Sequence, residues 1–310
     1  MASGYRLCYG ATANSSNLLE AGADTVALAN GTNTLTIADD TVSVTGGTGI
    51  DTITLTDTSM ASVTVDGGTG TDSIAAVGAG ANVATYKDMD SLTLTANSAS
   101  SSTTITGTSA TAVTFGATGQ TLVSSSSALT TVTAFATGTL ALSGAGTFAV
   151  SGQTTGAVTS TGTGALTVTA TAHNTAVVGA GATTVATALM TSAETLTLSG
   201  AGAMTVTGHN STGQVTSTGA GALTLTTGAN NTLVSSASAT TLTTALQTTQ
   251  TLGISGAGAV TIGDWVSTGV LTSTNTGNTE ITLVARASGI LALGTDTTGT
   301  DTVIATALAD

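Results

Sequence analysis

"TLTLSGAGAMTVTG" (195–208) has two near copies, "TLALSGAG" beginning at Thr139 and "TLGISGAG" beginning at Thr251, so the phrase returns at an equal interval. A fixed period of this size marks a stacked architecture, in which each repeat buries its apolar face only against its neighbours. The unit divides again, into "LTLSGAGAMTVTGHNSTGQ" (196–214), "VTSTGAGALTLTTGANNT" (215–232) and "LVSSASATTLTTALQTTQT" (233–251). "LGISGAGAVTIGDWVSTGV" (252–270) and "LTSTNTGNTEITLVARASG" (271–289) carry the pattern on. Each line follows one plan: a short alternating strand, a small-residue turn, a second strand and a second turn. Three such rungs make the 56-residue superrepeat.

Alternation fixes the two faces. Leu196 and Leu198, Met204 and Val206, Leu223 and Leu225, and Val260 and Ile262 share one face at period two. Thr and Ser take the other face, where β-branched side chains pack well along a sheet. Gly and Ala fill the turns. Half a rung is too short for a helical crossover, so parallel strands must be joined by tight arcs. The expected fold is an all-β parallel β-solenoid, a two-sided β-roll with 18–19-residue rungs. A three-sided β-helix with 28-residue coils also divides 56 and stands as the alternative. From Thr25 onward there is room for about 15 rungs, ~70 Å at a strand spacing of ~4.8 Å.

The composition suits that fold. The chain has 310 residues, 40 Gly, no Pro, 6% charged residues and 2% aromatics. Disordered chains are rich in Pro, Glu and Lys, whereas this one is rich in β-branched Thr and Val. Without Pro, no strand loses a ladder donor. The net charge is −13, with only Arg6, Lys87 and Arg286 positive, which excludes a phosphate-neutralising surface for nucleic acid and attraction to anionic membranes. No stretch approaches the ~18 apolar residues of a membrane span, and the start, "MASGYRLCYGATANSSN", lacks the apolar core of a signal peptide.

Charge divides the chain. Ten of the sixteen acidic residues lie in 1–90, none lies between Asp90 and Glu194, and they return at Asp264, Glu280, Asp296, Asp301 and Asp310. The expected organisation is an N-terminal cap or docking segment over 1–24, an acidic roll section over 25–90, and a weakly charged repetitive shaft over 91–310.

One motif has a mechanism. "GGTGIDTIT" (46–54) and "GGTGTDSIA" (67–75) fit G-G-x-G-x-D-x-apolar-x, and the step from Gly46 to Gly67 is close to one rung. Gly47, Gly49, Gly68 and Gly70 let the backbone aim carbonyls at a common centre, while Asp51 and Asp72 add hard anionic oxygens of the kind calcium takes. The two aspartates would flank one ion between stacked turns. The same stretch also reads as a plain glycine turn whose Asp satisfies backbone amides. "GTDTTGTDTV" (294–303) keeps part of the motif, which makes Asp296 and Asp301 weaker candidates.

On these residues the chain resembles the RTX, or haemolysin-type calcium-binding, β-roll proteins. It is also similar to the Thr/Ala/Gly-rich rolls of secreted bacterial surface-layer proteins, with "YKDMDSLTLTA" (86–96) and "SAETLTLSGAG" (192–202) like linkers between rolls. The close match covers 46–75, and a similarity of style covers 25–310. The resemblance implies calcium-dependent folding, leaderless type I secretion and assembly outside the cell. The chain departs from the pattern in having two full motifs, followed by turns such as "SGAGA" without Asp.

Other candidates are single residues. Cys8 is the only cysteine, so no internal disulfide forms; it is a cross-link between chains or an unpaired thiol without a role. His173 and His209 each precede Asn, about two rungs apart and too far for one zinc, and are expected as solvated turn residues. Trp265 is a contact anchor or a surface aromatic. No acid–base pair recurs at a consistent spacing, so no catalytic site is expected. The expected function is a bacterial extracellular or cell-surface structural protein, stabilised by calcium, that polymerises end to end into a surface layer or filament. The alternative is a module that binds cell-surface polysaccharide through Thr/Ser ladders; "TVT" (205–207) and "TLT" (224–226) fit it, and "TTALQ" (243–247) interrupts it.

Overall fold

The computed structural model of the chain describes residues 6–8, 14–16, 23–37, 41–56, 62–76, 83–94, 102–116, 120–126, 128–133, 137–152, 155–169, 175–187, 195–209, 214–227, 233–244, 251–265, 270–283, 290–293 and 299–305. They fall in two compact units, Met1–Val150 with Thr161–Ala165, and Ser151–Ser160 with Leu166–Asp310. Each is a parallel β-solenoid in which successive strands alternate between two sheets, with 19-residue rungs as the norm and no helix among the described residues. The coil is two-sided, and the three-sided alternative is not adopted.

In the first unit one sheet runs from Arg6–Cys8 through Ala23–Ala27, Thr41–Thr45, Ser62–Asp66, Val83–Lys87, Ser102–Thr106 and Gln120–Ser124 to Thr137–Ser143. The facing sheet runs from Asn14–Ser16 through Gly31–Ile37, Thr48–Leu55, Ser73–Ala76, Ser91–Leu94 and Thr111–Phe115 to Leu129–Thr133. The segment before residue 25, which has no rung periodicity, thus contributes strands at Arg6–Cys8 and Asn14–Ser16 that pair in parallel with the next rung. Period-two sequence does the sorting: in Thr41–Thr45, Val42 and Val44 are buried while Ser43 between them is less so. The interior is built from Leu, Ile and Val, with Tyr86 and Phe148 its largest fully buried side chains.

In the second unit one sheet runs from Thr155–Ser160 through Thr175–Gly179, Leu196–Ser199, Gln214–Ser217, Leu233–Ser236, Thr251–Gly256 and Val270–Asn275 to Ile290–Leu293. The other runs from Leu166–Thr169 through Thr183–Ala186, Met204–His209, Leu223–Thr227, Thr240–Thr244, Val260–Trp265 and Thr279–Leu283 to Asp301–Ala305. The sheets follow the sequence repeat differently. In the second sheet Met204 stacks on Leu223, Thr240 and then Val260, its own counterpart in the next superrepeat. In the first, Leu196 stacks on Val215, Val234 and then Ile254, whereas its sequence counterpart is Leu252. This sheet therefore slips by two positions per superrepeat. A slip of two keeps every side chain on its own face, whereas a slip of one would turn the strand over.

The Thr columns follow from this register. Thr224 pairs with Thr241 and Thr226 with Thr243, because the strand is Thr240–Thr244. The expected interruption at 243–247 therefore does not break the T-x-T pattern at this rung. Bulges recur at Val206/His209 and Ile262/Trp265, so His209 and Trp265 close equivalent strands one superrepeat apart.

Candidate functional site

The glycine motifs lie in the first unit, at the arcs leading from one sheet to the other. Gly46 and Gly47 separate strands Thr41–Thr45 and Thr48–Leu55, and Gly67 and Gly68 occupy the same place one rung on. Asp51 and Asp72 follow at the first inward position of the second sheet, and both are buried at 1% exposure. Inside the coil they stack with two further residues into one column. The Asn33 Nδ2 donates to Asp51 Oδ1 at 2.7 Å, the Asp51 N–H to Asp72 Oδ1 at 2.9 Å, and the Asp72 N–H to Asp90 Oδ2 at 2.8 Å. Thr111, which stacks on Thr130 in the next rung, continues this inner corner, its hydroxyl donating to the Met89 carbonyl at 2.8 Å.

The arrangement explains the glycine that opens each motif. A β-carbon on Gly46 would lie 2.6 Å from Asp51 Oδ2 and run into the Gly67 carbonyl oxygen. One on Gly67 would lie 2.8 Å from Asp72 Oδ2 and 2.6 Å from the Asp88 carbonyl oxygen. Each Asp folds back under its own arc, into space that only glycine leaves.

Electrostatically the column is strained. Asp72 Oδ2 is buried without a hydrogen-bond partner, as is Asn33 Oδ1. Burial raises the Asp72 carboxyl above its ordinary range; the Asp51 amide pulls it down, and the charges of Asp51, Asp90 and Asp66 push it up again. The nearby cation faces outward: Lys87 Nζ is 2.6 Å from Asp66 Oδ2 and 3.6 Å from Asp88 Oδ2. Asp88, at φ 50, accepts the Thr108 N–H at 2.7 Å, and that bond is the chief reason its carboxyl is held below the usual range.

Calcium is the ion the RTX resemblance implies. The donor set is of the right chemical kind, with a carboxylate oxygen and a main-chain carbonyl converging at each glycine, and one buried carboxylate oxygen unpartnered. Among the described residues, no three acidic, imidazole or thiol side chains converge on a point, so Asp51 or Asp72 would hold an ion mainly with carbonyl oxygens of the stacked arcs. The Asp72 carboxylate also satisfies a backbone amide, that of Asp51, and the Asp51 carboxylate satisfies the Asn33 side-chain amide, the other role open to them.

Sequence reasoning missed Asn33 and Asp90. The signal was present: "NTLTI" (33–37), "DTITL" (51–55), "DSIAA" (72–76) and "DSLTL" (90–94) share an amide or carboxylate, a hydroxyl and an alternating apolar pair. Of the weaker candidates, Asp301 pairs with Thr279 and is exposed, whereas Asp296 and His173 lie outside the described residues. Among the described residues no helix is long and apolar enough to cross a membrane. No protein-family model, curated protein or solved structure matches the chain.

Proposed function

We propose that this chain is a structural protein of the bacterial cell exterior, assembling end to end with copies of itself into a surface layer or filament and stabilised by calcium around Asp51 and Asp72. No catalytic step is assigned to it. The observation that carries the reading is at strand Asp301–Ala305. Val303 stacks against Ile281, which is fully buried, yet Val303 is 42% exposed, and Ile304 beside it is also 42% exposed. An inward apolar position left open, beside a ladder with no further strand among the described residues, favours one more parallel strand. A second copy that supplied it would form a heterologous contact, which propagates. Electron microscopy of the purified protein in calcium and in EGTA tests this. Filaments or layers are expected in calcium, with fewer in EGTA and no calcium response from an Asp51→Ala, Asp72→Ala variant. Isolated particles in both conditions would sink the proposal.

A second reading, binding of surface polysaccharide, draws on the Thr column of the second unit. Thr167, Thr184, Thr205, Thr224, Thr241 and Thr261 stack in consecutive strands, and Glu280 and Thr302 extend the row. Thr261, Glu280 and Thr302 also line a shallow groove with Asn278 and Thr300. A pull-down on purified cell-wall polysaccharide, with Thr224→Val and Thr241→Val as controls, separates the two readings.

A further inference from the structure

We infer that the inner column holds a second divalent cation, under the arc of the second glycine motif, between Asp72 and the non-glycine arc Asp88–Asp90. The inference rests on the calcium reading above and extends it to residues outside the glycine motif. Three observations meet here. Asp72 Oδ2 is an unpartnered oxygen in a residue 1% exposed. It converges under Gly67 with the Asp88 main-chain carbonyl oxygen, the two lying 2.8 and 2.6 Å respectively from where a β-carbon would stand. The Asp90 carboxylate lies against the same residue, its Oδ2 accepting the Asp72 N–H at 2.8 Å.

Charge argues in the same direction. Asp51, Asp72 and Asp90 follow one another at rung spacing, about 4.8 Å, with the one basic side chain nearby turned outward to Asp66 and Asp88. Like charges at that separation repel, the more so because Asp51 and Asp72 are buried and Asp90 is half-buried. A cation between Asp72 and Asp90 cancels that repulsion and gives the orphan oxygen a partner. The donors are carboxylate and carbonyl oxygens inside a coil, which suits calcium better than magnesium, because magnesium keeps several of its waters. Met89 Sδ packs beside these oxygens, 2.9 Å from the same β-carbon position.

Isothermal titration of the full chain with calcium chloride, after stripping with EGTA, tests the assignment. Asp90→Asn keeps an oxygen for the Asp72 amide and removes the charge. It should lose one calcium equivalent relative to wild type while keeping the equivalent that Asp51→Asn loses. Asp72→Asn, common to both positions, should lose both. If Asp90→Asn binds as many ions as wild type while Asp51→Asn loses one, this inference is overturned and the glycine-motif site stands. If wild type binds none, both are overturned. Should Asp90→Asn fail to fold by circular dichroism, a terbium-soaked crystal of wild type decides instead. An anomalous peak beside Asp72 Oδ2 and the Asp88 carbonyl supports the site, and a peak confined to the Gly46 arc refutes it.

Discussion

At Gly70 the backbone has φ 146, and a β-carbon there would run into the Gly49 carbonyl oxygen; Gly49, at φ 139, stands in the same relation to Gly31. These two positions combine a conformation that L side chains avoid with a backbone neighbour that cannot move aside. Gly263 is the contrast, since the nearest atom to its β-carbon position is the Leu242 carbonyl oxygen at 3.9 Å. Gly→Ala should therefore have opposite signs at these sites. Gly70→Ala is expected to destabilise by well over about 1 kcal/mol, and Gly263→Ala to stabilise by about 0.4–1 kcal/mol through the unfolded chain. Urea midpoints measured at unchanged m-value check this, and a Gly70→Ala protein as stable as wild type would refute the stacked-arc geometry.

The strands were legible from period two, because one face of each is buried and any odd error in register would expose it. The rung length was legible for the same reason. The slip of the first sheet was not, since moving Leu196 from Leu252 to Ile254 leaves an apolar residue facing in either way. Nor was the full length of the Asp column. Its members, at 33, 51, 72 and 90, are unevenly spaced, and the "DMD" arc bears no likeness to "GGTGTD". The exposed face repeats Thr and Ser with little variation, so the buried polar residues are the clearer marks of the column. A deletion separates register from length. Removing 196–251 should leave a folded, shorter protein, because Val177, which pairs with Leu198, meets Ile254 in its place, as Val234 does in the intact chain. Removing 196–204, half a rung, changes the facing parity and should abolish the cooperative thermal transition. Equal behaviour of the two deletions in circular dichroism melts would show that the 56-residue unit has no structural meaning.

For the molecule as a whole, the uneven charge matters most. The long stretch between Asp90 and Glu194 has no formal charge, so copies meet little repulsion along it, while the acidic residues before it repel until a cation screens them. Contact through strand Asp301–Ala305 should dominate, and a Val303→Pro, Ala305→Lys variant removes a ladder donor and adds a charge at that edge. Light scattering in calcium should show this variant polymerising at least tenfold more slowly than wild type. Equal rates would move the contact to the lateral faces or to the segment around Tyr5, Cys8 and Tyr9.

Lys87 ends a strand bonded on both sides, to Ser62–Asp66 and to Ser102–Thr106, and its ammonium is tied to Asp66. With Arg6 and Arg286 it marks one of only three peptide bonds that trypsin recognises in the chain. A protease must draw an extended segment free of its neighbours before cutting, so nicking at Lys87 measures how often that one rung opens. Its strand leads into the arc that carries Asp88 and Asp90, so its digestion rate reports local breathing at the end of the carboxylate column without any added probe.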